Sequence, residues 1–335
     1  MLVGSENLFA IDEQGVLNVW NLSTLEKTFE STETEKYLSI AENNNREVIL
    51  ATENGVLVRL NESEFTTELY LETKRKFRIE AFYFNSRNEP FFITPFAVYD
   101  AYRDKYWSNF QHQPNGMIVS KRFLFFFKKG TNTYFIKPDF SFIDSQDRIW
   151  MTKSFGEFGG SLQLFDSWNG KILNSDFENL NFGLLFPKSV FEDNQSNIFV
   201  TSGLQHFNNS GEIWKIEKNS ANPIYDSEDF SDSTRTNNAF GGGIFVGPGT
   251  YNSNDNLIYF ATNYGIYRAA IPDSGRIEET ELFLRPTLTW DREPLAIGMS
   301  MAVKKLSFTT NNELVFLTSN DGIGFYRSGT LRMLK

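Results

Sequence analysis

Apolar residues in this chain come in short runs bounded by polar turns, and no segment shows a sustained helical period. One unit recurs: an apolar strand ending in Thr, a polar turn that usually contains Gly, and a second apolar strand. Its clearest copies are VILATENGVLVRL at 48–60, LIYFATNYGIYR at 257–268 and LVFLTSNDGIGFY at 314–326. Looser copies end at Thr94, Thr152 and Thr201, and a first copy, LFAIDEQGVLNVW at 8–20, carries Asp12 where the others have Thr. The turn pairs Asn54-Gly55 and Asp321-Gly322 accept positive φ and so suit tight hairpins. Residues 37–41 and 68–72 are further short β-rich runs flanking the second copy, which leaves room for four strands per unit.

The seven pivots 12, 52, 94, 152, 201, 262 and 318 are separated by 40, 42, 58, 49, 61 and 56 residues. A four-stranded propeller blade needs roughly 40 to 50 residues, so the longer intervals imply inserted loops. The pattern predicts an all-β chain: a single β-propeller over 1–335 with about seven four-stranded blades, six or eight being the alternatives, and insertions near 103–136 and 203–250. An eighth blade within 107–136 would preserve the fold. Packing such sheets radially buries apolar faces that each would otherwise expose.

Composition narrows the partners. A length of 335 residues exceeds the usual span of one compact core and fits a modular repeat. With 40% hydrophobic residues and 34 Phe there is ample surface for packed sheets. The net charge of -10 disfavours a phosphate backbone, so nucleic acid and anionic membrane surfaces are not expected as partners. The longest apolar run, 123–127, is far short of the roughly 20 residues of a membrane helix, so no membrane insertion is expected. The absence of Cys removes disulfides, thiolate metal sites and cysteine nucleophiles. Residues 1–20 show no signal peptide, which reads as cytoplasmic, or as periplasmic or extracellular if a leader precedes them.

The segments FIDSQDRIWMT at 142–152 and VFEDNQSNIFVTSG at 190–203 resemble the two-component regulator propeller repeat, and GIYR at 265–268 is similar to its closing strand. The resemblance covers about five units. It implies a propeller of the kind found in extracytoplasmic sensor domains joined to histidine kinases. This chain shows no kinase segment, membrane helix or following sandwich domain, so a signalling role is not expected to carry over. GVLNVWNLST at 15–24, and more weakly GSLQLFD at 160–166, are similar to the last strand of a WD40 blade. The Gly-His dipeptide of that family is missing, which leaves shared blade geometry.

Chemistry is sparse. His112 and His206 lie in loops and could ligate a metal or act as bases, yet neither has a partner at metal-ligand spacing. No nucleophile-elbow motif is present, and the glycines at 241–243 precede a strand rather than the helix a phosphate loop needs. The acidic stretch 226–232 lacks the order of a Ca²⁺ loop, so no cofactor is expected, a structural or loop-bound Ca²⁺ being the exception left open. The turn acids Asp144, Asp147, Glu192 and Asp193 recur with the blades and read as hairpin groups bonding to backbone. Recognition is better sought on loops carried by the scaffold. Tyr102 and Trp107 in the first long interval mark a partner surface, Trp168 and Trp290 offer aromatic platforms, and His112 and His206 complete the candidate binding set. Two functions follow: a non-catalytic module presenting a protein or glycan recognition surface, or a propeller hydrolase or lyase acting on a glycan or lactone through loop carboxylates.

Overall fold

In a computed structural model of the protein, each recurring unit is an antiparallel meander of four strands. The structure describes all residues except 33–34, 74–77, 96, 108–136, 174–176, 206–208, 219, 229–242 and 290–301. The described residues form seven such sheets in the arrangement of a β-propeller.

The first blade holds β1 (Leu2–Val3), β2 (Asn7–Ile11), β3 (Leu17–Asn21) and β4 (Lys27–Glu30). The second holds β5 (Tyr37–Glu42), β6 (Val48–Thr52), β7 (Val56–Asn61) and β8 (Thr66–Glu72). The third is β9 (Ala81–Phe84), β10 (Pro90–Ile93), β11 (Val98–Asp100) and β12 (Lys105–Trp107). The fourth is β13 (Phe140–Ile143), β14 (Arg148–Ser154), β15 (Gly160–Asp166) and β16 (Lys171–Leu173). The fifth is β17 (Pro187–Glu192), β18 (Ile198–Leu204), β19 (Ser210–Glu217) and β20 (Ser220–Asp226). The sixth is β21 (Val246–Asn252), β22 (Leu257–Thr262), β23 (Gly265–Ala270) and β24 (Glu281–Leu284). The seventh is β25 (Val303–Phe308), β26 (Leu314–Thr318), β27 (Ile323–Arg327) and β28 (Thr330–Leu334).

The chain divides into two units. Unit 1 is drawn from 1–137, 146–149 and 163–173, and unit 2 from 138–145, 150–162 and 174–335. The fourth sheet supplies residues to both.

Every pivot lies in or just after a second strand, and five of the seven side chains close the next turn, whereas the Thr201 hydroxyl meets that of Ser189 at 2.8 Å and the buried Thr152 hydroxyl makes no hydrogen bond. Thr52 Oγ1 accepts the Val56 N–H at 3.3 Å, and Thr94 and Thr262 hydroxyls donate to the carbonyls of Ala97 and Gly265. Thr318 donates to the Gly322 carbonyl at 2.7 Å. In the first blade Asp12 Oδ1 does the same work, accepting the N–H groups of Gln14 and Val16. A second turn recurs between the first and second strands. Asn43, Asn85, Asp193 and Thr309 each accept with one side-chain oxygen from the N–H groups two and four residues on. Three residues beyond each lies a residue at positive φ: Arg46, Asn88, Ser196 and Asn312. Of the acids expected to bond to their own turns Asp193 does so, whereas Asp144 accepts the Trp150 indole N–H and Asp147 and Glu192 accept from a serine of the preceding blade.

These turns also tie neighbouring blades. Asn44 donates to Asn88 Oδ1 and to the Asn85 carbonyl, Ser86 donates twice to Asp147, and Ser145 donates twice to Glu192. Asn252 Nδ2 meets Asn312 Oδ1 at 2.5 Å. The apolar core is distributed in the same way, in clusters between facing sheets within each unit. Phe9, Leu17 and Val19 pack on Val48, Leu50 and Leu60 in unit 1, and Tyr259, Ala261 and Ile266 pack on Val303, Leu306 and Phe316 in unit 2. Each such cluster withdraws several large side chains from water, at about 25 cal/mol per Å² of apolar surface.

Candidate functional site

In each meander the first-to-second and third-to-fourth turns lie at one end, and the second-to-third turn and the head of the first strand lie at the other. The two ends carry different chemistry.

At the first end, in unit 1, an Asx residue opens each third-to-fourth turn. Asp100 Oδ1 accepts the N–H groups of Tyr102 and Arg103 at 2.9 and 2.8 Å, and Asp166 Oδ1 accepts that of Asn169 at 2.9 Å. Tyr102 and Trp168 therefore occupy the same place, two residues past the turn carboxylate, in consecutive blades. Both are exposed, Tyr102 at 74% and Trp168 at 46%. Trp107 on β12 is half-buried against the Trp168 turn: its ring packs on Phe165 at a centroid distance of 4.9 Å and lies against Gly170. A Cβ at Gly170 would sit 3.0 Å from the Trp107 ring, and its φ is +63°, so this turn is fitted to the Trp107 edge by a glycine.

Arg87 joins the two turns. Its guanidinium lies 4.0 Å from the centroid of the Trp168 ring and donates to the Trp168 carbonyl at 2.6 Å. It also pairs with Glu89 at 3.3 Å, and Arg103 reaches the same carboxylate at 3.1 Å. Arg103 is held in turn by Asp100, which is fully buried, at 2.8 Å. The hydrogen bond that Arg103 donates to Asp100 raises the Arg103 pKa above its ordinary value, against desolvation by burial and with the charges of Asp100 and Glu89 adding to it. The exposed Trp168 ring is thus held against Arg87, itself paired with Glu89, which leaves it less rotamer freedom to lose on binding.

Of the six residues singled out by sequence, the structure brings Tyr102, Trp107 and Trp168 to one edge. His112, His206 and Trp290 lie outside the described residues, as do the hairpin-like stretch 122–136, the glycines 241–242 and the acidic positions 229–232. Arg87, Glu89 and Arg103 were missed. Their signal was available in the shared spacing Asp100-x-Tyr102 and Asp166-x-Trp168, with a basic residue in the neighbouring turn.

At the opposite end, in unit 2, β17 and β25 each open with a β-bulge: Pro187 pairs with Ser202 but Ser189 with Thr201, and Val303 pairs with Thr318 but Lys305 with Leu317. The residues thrown out of register are Lys188 and Lys304. Lys188 is half-buried, with its ammonium 5.6 Å from the centroid of Phe245. In the same unit, a cavity of about 250 Å³ is lined by Asn263, Tyr264, Arg285, Leu288 and Ala302. Arg285 Nε donates to the Tyr264 carbonyl at 3.0 Å on its rim. Unit 1 has a cavity of about 280 Å³ at the corresponding end of β5, where the Tyr37 hydroxyl donates to Glu35 and burial, with that bond, pushes the phenol well above its ordinary pKa. Among the described residues no three His, Cys, Asp or Glu side chains are grouped to hold a metal ion, and no helix is long and apolar enough to cross a membrane.

No family model matches the chain, and no curated protein matches it. Solved structures do. The extracellular domain of a hybrid two component system from B. thetaiotaomicron matches over 99% of this chain with TM-score 0.52 and 13% identity. This chain spans 35% of that one. Virginiamycin B lyase from Staphylococcus aureus matches over 90% of this chain and 85% of its own, with TM-score 0.52 and 14% identity. The Dos1 propeller matches over 97% of this chain and 76% of its own, with TM-score 0.53 and 13% identity. At these identities the likeness is one of fold: the described residues form a seven-bladed β-propeller, similar to the extracellular domain of a two component system, to a lyase and to the Dos1 propeller alike.

Proposed function

We propose that the chain is a non-catalytic recognition module that docks a protein partner on the edge formed by Tyr102, Trp168 and Arg87. The observation that carries this is the Arg87 guanidinium stacked at 4.0 Å on an exposed Trp168 that is itself matched, turn for turn, by an exposed Tyr102. Trp, Tyr and Arg are the side chains that dominate protein interfaces, because each offers a large, stiff surface with a polar tip. A glycan would stack on an open indole face. Here one face of Trp168 is already covered by Arg87, which favours a protein over a sugar. The lyase likeness supports the alternative of an enzyme only at the level of fold.

The test is photocrosslinking from p-benzoylphenylalanine placed at Tyr102, in cells of the source organism, to identify the partner. Affinity is then measured by surface plasmon resonance with both proteins purified. Trp168→Ala and Arg87→Ala should each weaken binding by about 10- to 100-fold, as hot-spot truncations do. A partner whose affinity ignores both substitutions overturns the proposal. So does a neutral oligosaccharide bound by the wild type and lost in Trp168→Ala.

A further inference from the structure

The cavity of about 250 Å³ in unit 2 lies where the second-to-third turn of the sixth blade meets the head of β25. Its walls are that turn, over 262–265, the segment that follows β24, and Ala302 with Val303. Each wall is fixed by bonds of its own. Gly265 has φ +146° and no side chain, and a Cβ there would fall 2.6 Å from the Leu284 carbonyl oxygen and 3.4 Å from the Arg285 Cα. Glycine therefore lets the chain leave β24 directly against the turn. Arg285 Nε then donates to the Tyr264 carbonyl at 3.0 Å. Further on, the Thr289 N–H and hydroxyl both reach the Asp321 carboxylate in the corresponding turn of the seventh blade, at 2.6 and 2.8 Å. The Ser319 N–H donates to the Ala302 carbonyl at 2.7 Å and positions the third wall. The cavity is preformed, as small-molecule sites generally are.

Its polar groups are unequally used. Asn263 Oδ1 accepts the Phe245 N–H at 2.9 Å, and the Thr262 hydroxyl accepts the Tyr264 N–H and donates to the Gly265 carbonyl. Arg285 spends only Nε: among the described residues its two terminal nitrogens meet no hydrogen-bond acceptor and no carboxylate. Among the described residues no Asp or Glu lines the cavity either. Ile266 and Val303, both buried, and Leu288 make an apolar wall beside the guanidinium. Two coplanar N–H donors on one unused edge of a guanidinium match the two oxygens of a single carboxylate, whereas a phosphate dianion would find only one cation on the wall. At about 30 Å³ per water the space equals about eight waters, which is room for an acid of about ten non-hydrogen atoms.

We infer that this cavity binds a small monocarboxylic acid with a compact apolar body. The carboxylate takes both terminal nitrogens of Arg285, and the body lies against Ile266, Leu288 and Val303. The site shares no residue with the docking edge, which belongs to unit 1, so each is tested without the other.

The experiment is a ligand-observed NMR titration on the full chain, with phenylacetate and 3-methylbutanoate as acids, their primary amides as neutral counterparts, and inorganic phosphate as a competitor. At least one acid should bind saturably, and about tenfold or more tighter than its amide, while phosphate at the same concentration should not displace it. Arg285→Gln should weaken that acid by about 10- to 100-fold, as the loss of charge-assisted hydrogen bonds does. Ala302→Leu, which places a larger side chain on the wall and leaves Arg285 in place, should weaken it by about tenfold or more. Arg78→Gln, on an arginine paired with Glu80 in unit 1, should leave it unchanged. The comparison of acid with amide requires no substitution. Absence of saturable binding of both acids overturns the site, as does an amide bound as tightly as its acid. An affinity unchanged in Arg285→Gln or in Ala302→Leu does so as well, and displacement by phosphate overturns the assignment to a carboxylate.

Discussion

Asp147 offers the sharpest test of how the turns join blades. Its carboxylate is 8% exposed and accepts two hydrogen bonds from Ser86 of the preceding blade, one from N–H at 2.7 Å and one from Oγ at 2.5 Å. Its own φ is +61°, a conformation that Asp and Asn tolerate better than Ala. Hydrogen bonds to a charged acceptor contribute about 1.5 to 3 kcal/mol each when buried, and because these are part-buried the pair together is assigned about 2 to 3 kcal/mol. Asp147→Ala loses that and adds about 1 kcal/mol of backbone strain at positive φ. Its cost is therefore about 3 to 4 kcal/mol. Asp147→Gly loses the two bonds without the strain, and Asp147→Asn keeps a neutral acceptor and tolerates the φ. The carbonyl of residue 147, which accepts from the Ser167 N–H and hydroxyl, is kept in all three. The order of stability should be wild type, Asn, Gly, Ala, read as urea midpoints at constant slope by tryptophan fluorescence. Asp147→Gly as stable as the wild type would show that the latch contributes nothing. Asp147→Ala equal to Asp147→Gly would show that the positive φ carries no strain.

Two further outcomes follow from buried polar groups. Trp150 is 1% exposed and its Nε1 donates to Asp144 Oδ2 at 2.7 Å, so Trp150→Phe should cost about 2 to 4 kcal/mol, combining a lost charged hydrogen bond with lost ring volume; a midpoint within error of the wild type would refute this. Glu212 has its pKa raised, chiefly by burial and then by Asp226 and Glu228, against the opposing Trp214 Nε1–H bond at 2.8 Å and the charge of Arg276. The folded state therefore holds this proton to higher pH than the unfolded chain does. Stability from the neutral carboxyl is fully present below its ordinary pKa of 4.5 and is lost as pH rises through the raised value. Glu212→Gln should thus gain on the wild type between pH 4 and pH 7 in thermal unfolding, and a gap that stays constant or shrinks would contradict that sign.

The sequence by itself determined the blades. Thr52, Thr94, Thr262 and Thr318 bond to groups within four residues, and the Asn and Asp turns close over five, so their role is written in local spacing and repeats with each sheet. Short-range chemistry of this kind depends on residue order alone. The fold was legible for that reason, including the count of seven sheets among the described residues. Only the tertiary structure decided which turns meet. Arg87 reaches Trp168 across 81 positions, and Lys188 and Lys304 act on each other from strands more than a hundred residues apart. Single-residue bulges turn both lysines out of the ladder, and a shift of one residue in strand register reverses the side to which a side chain points. No local pattern encodes such a shift. The blades were therefore readable from the chain, whereas the surfaces between their ends required the packed sheets.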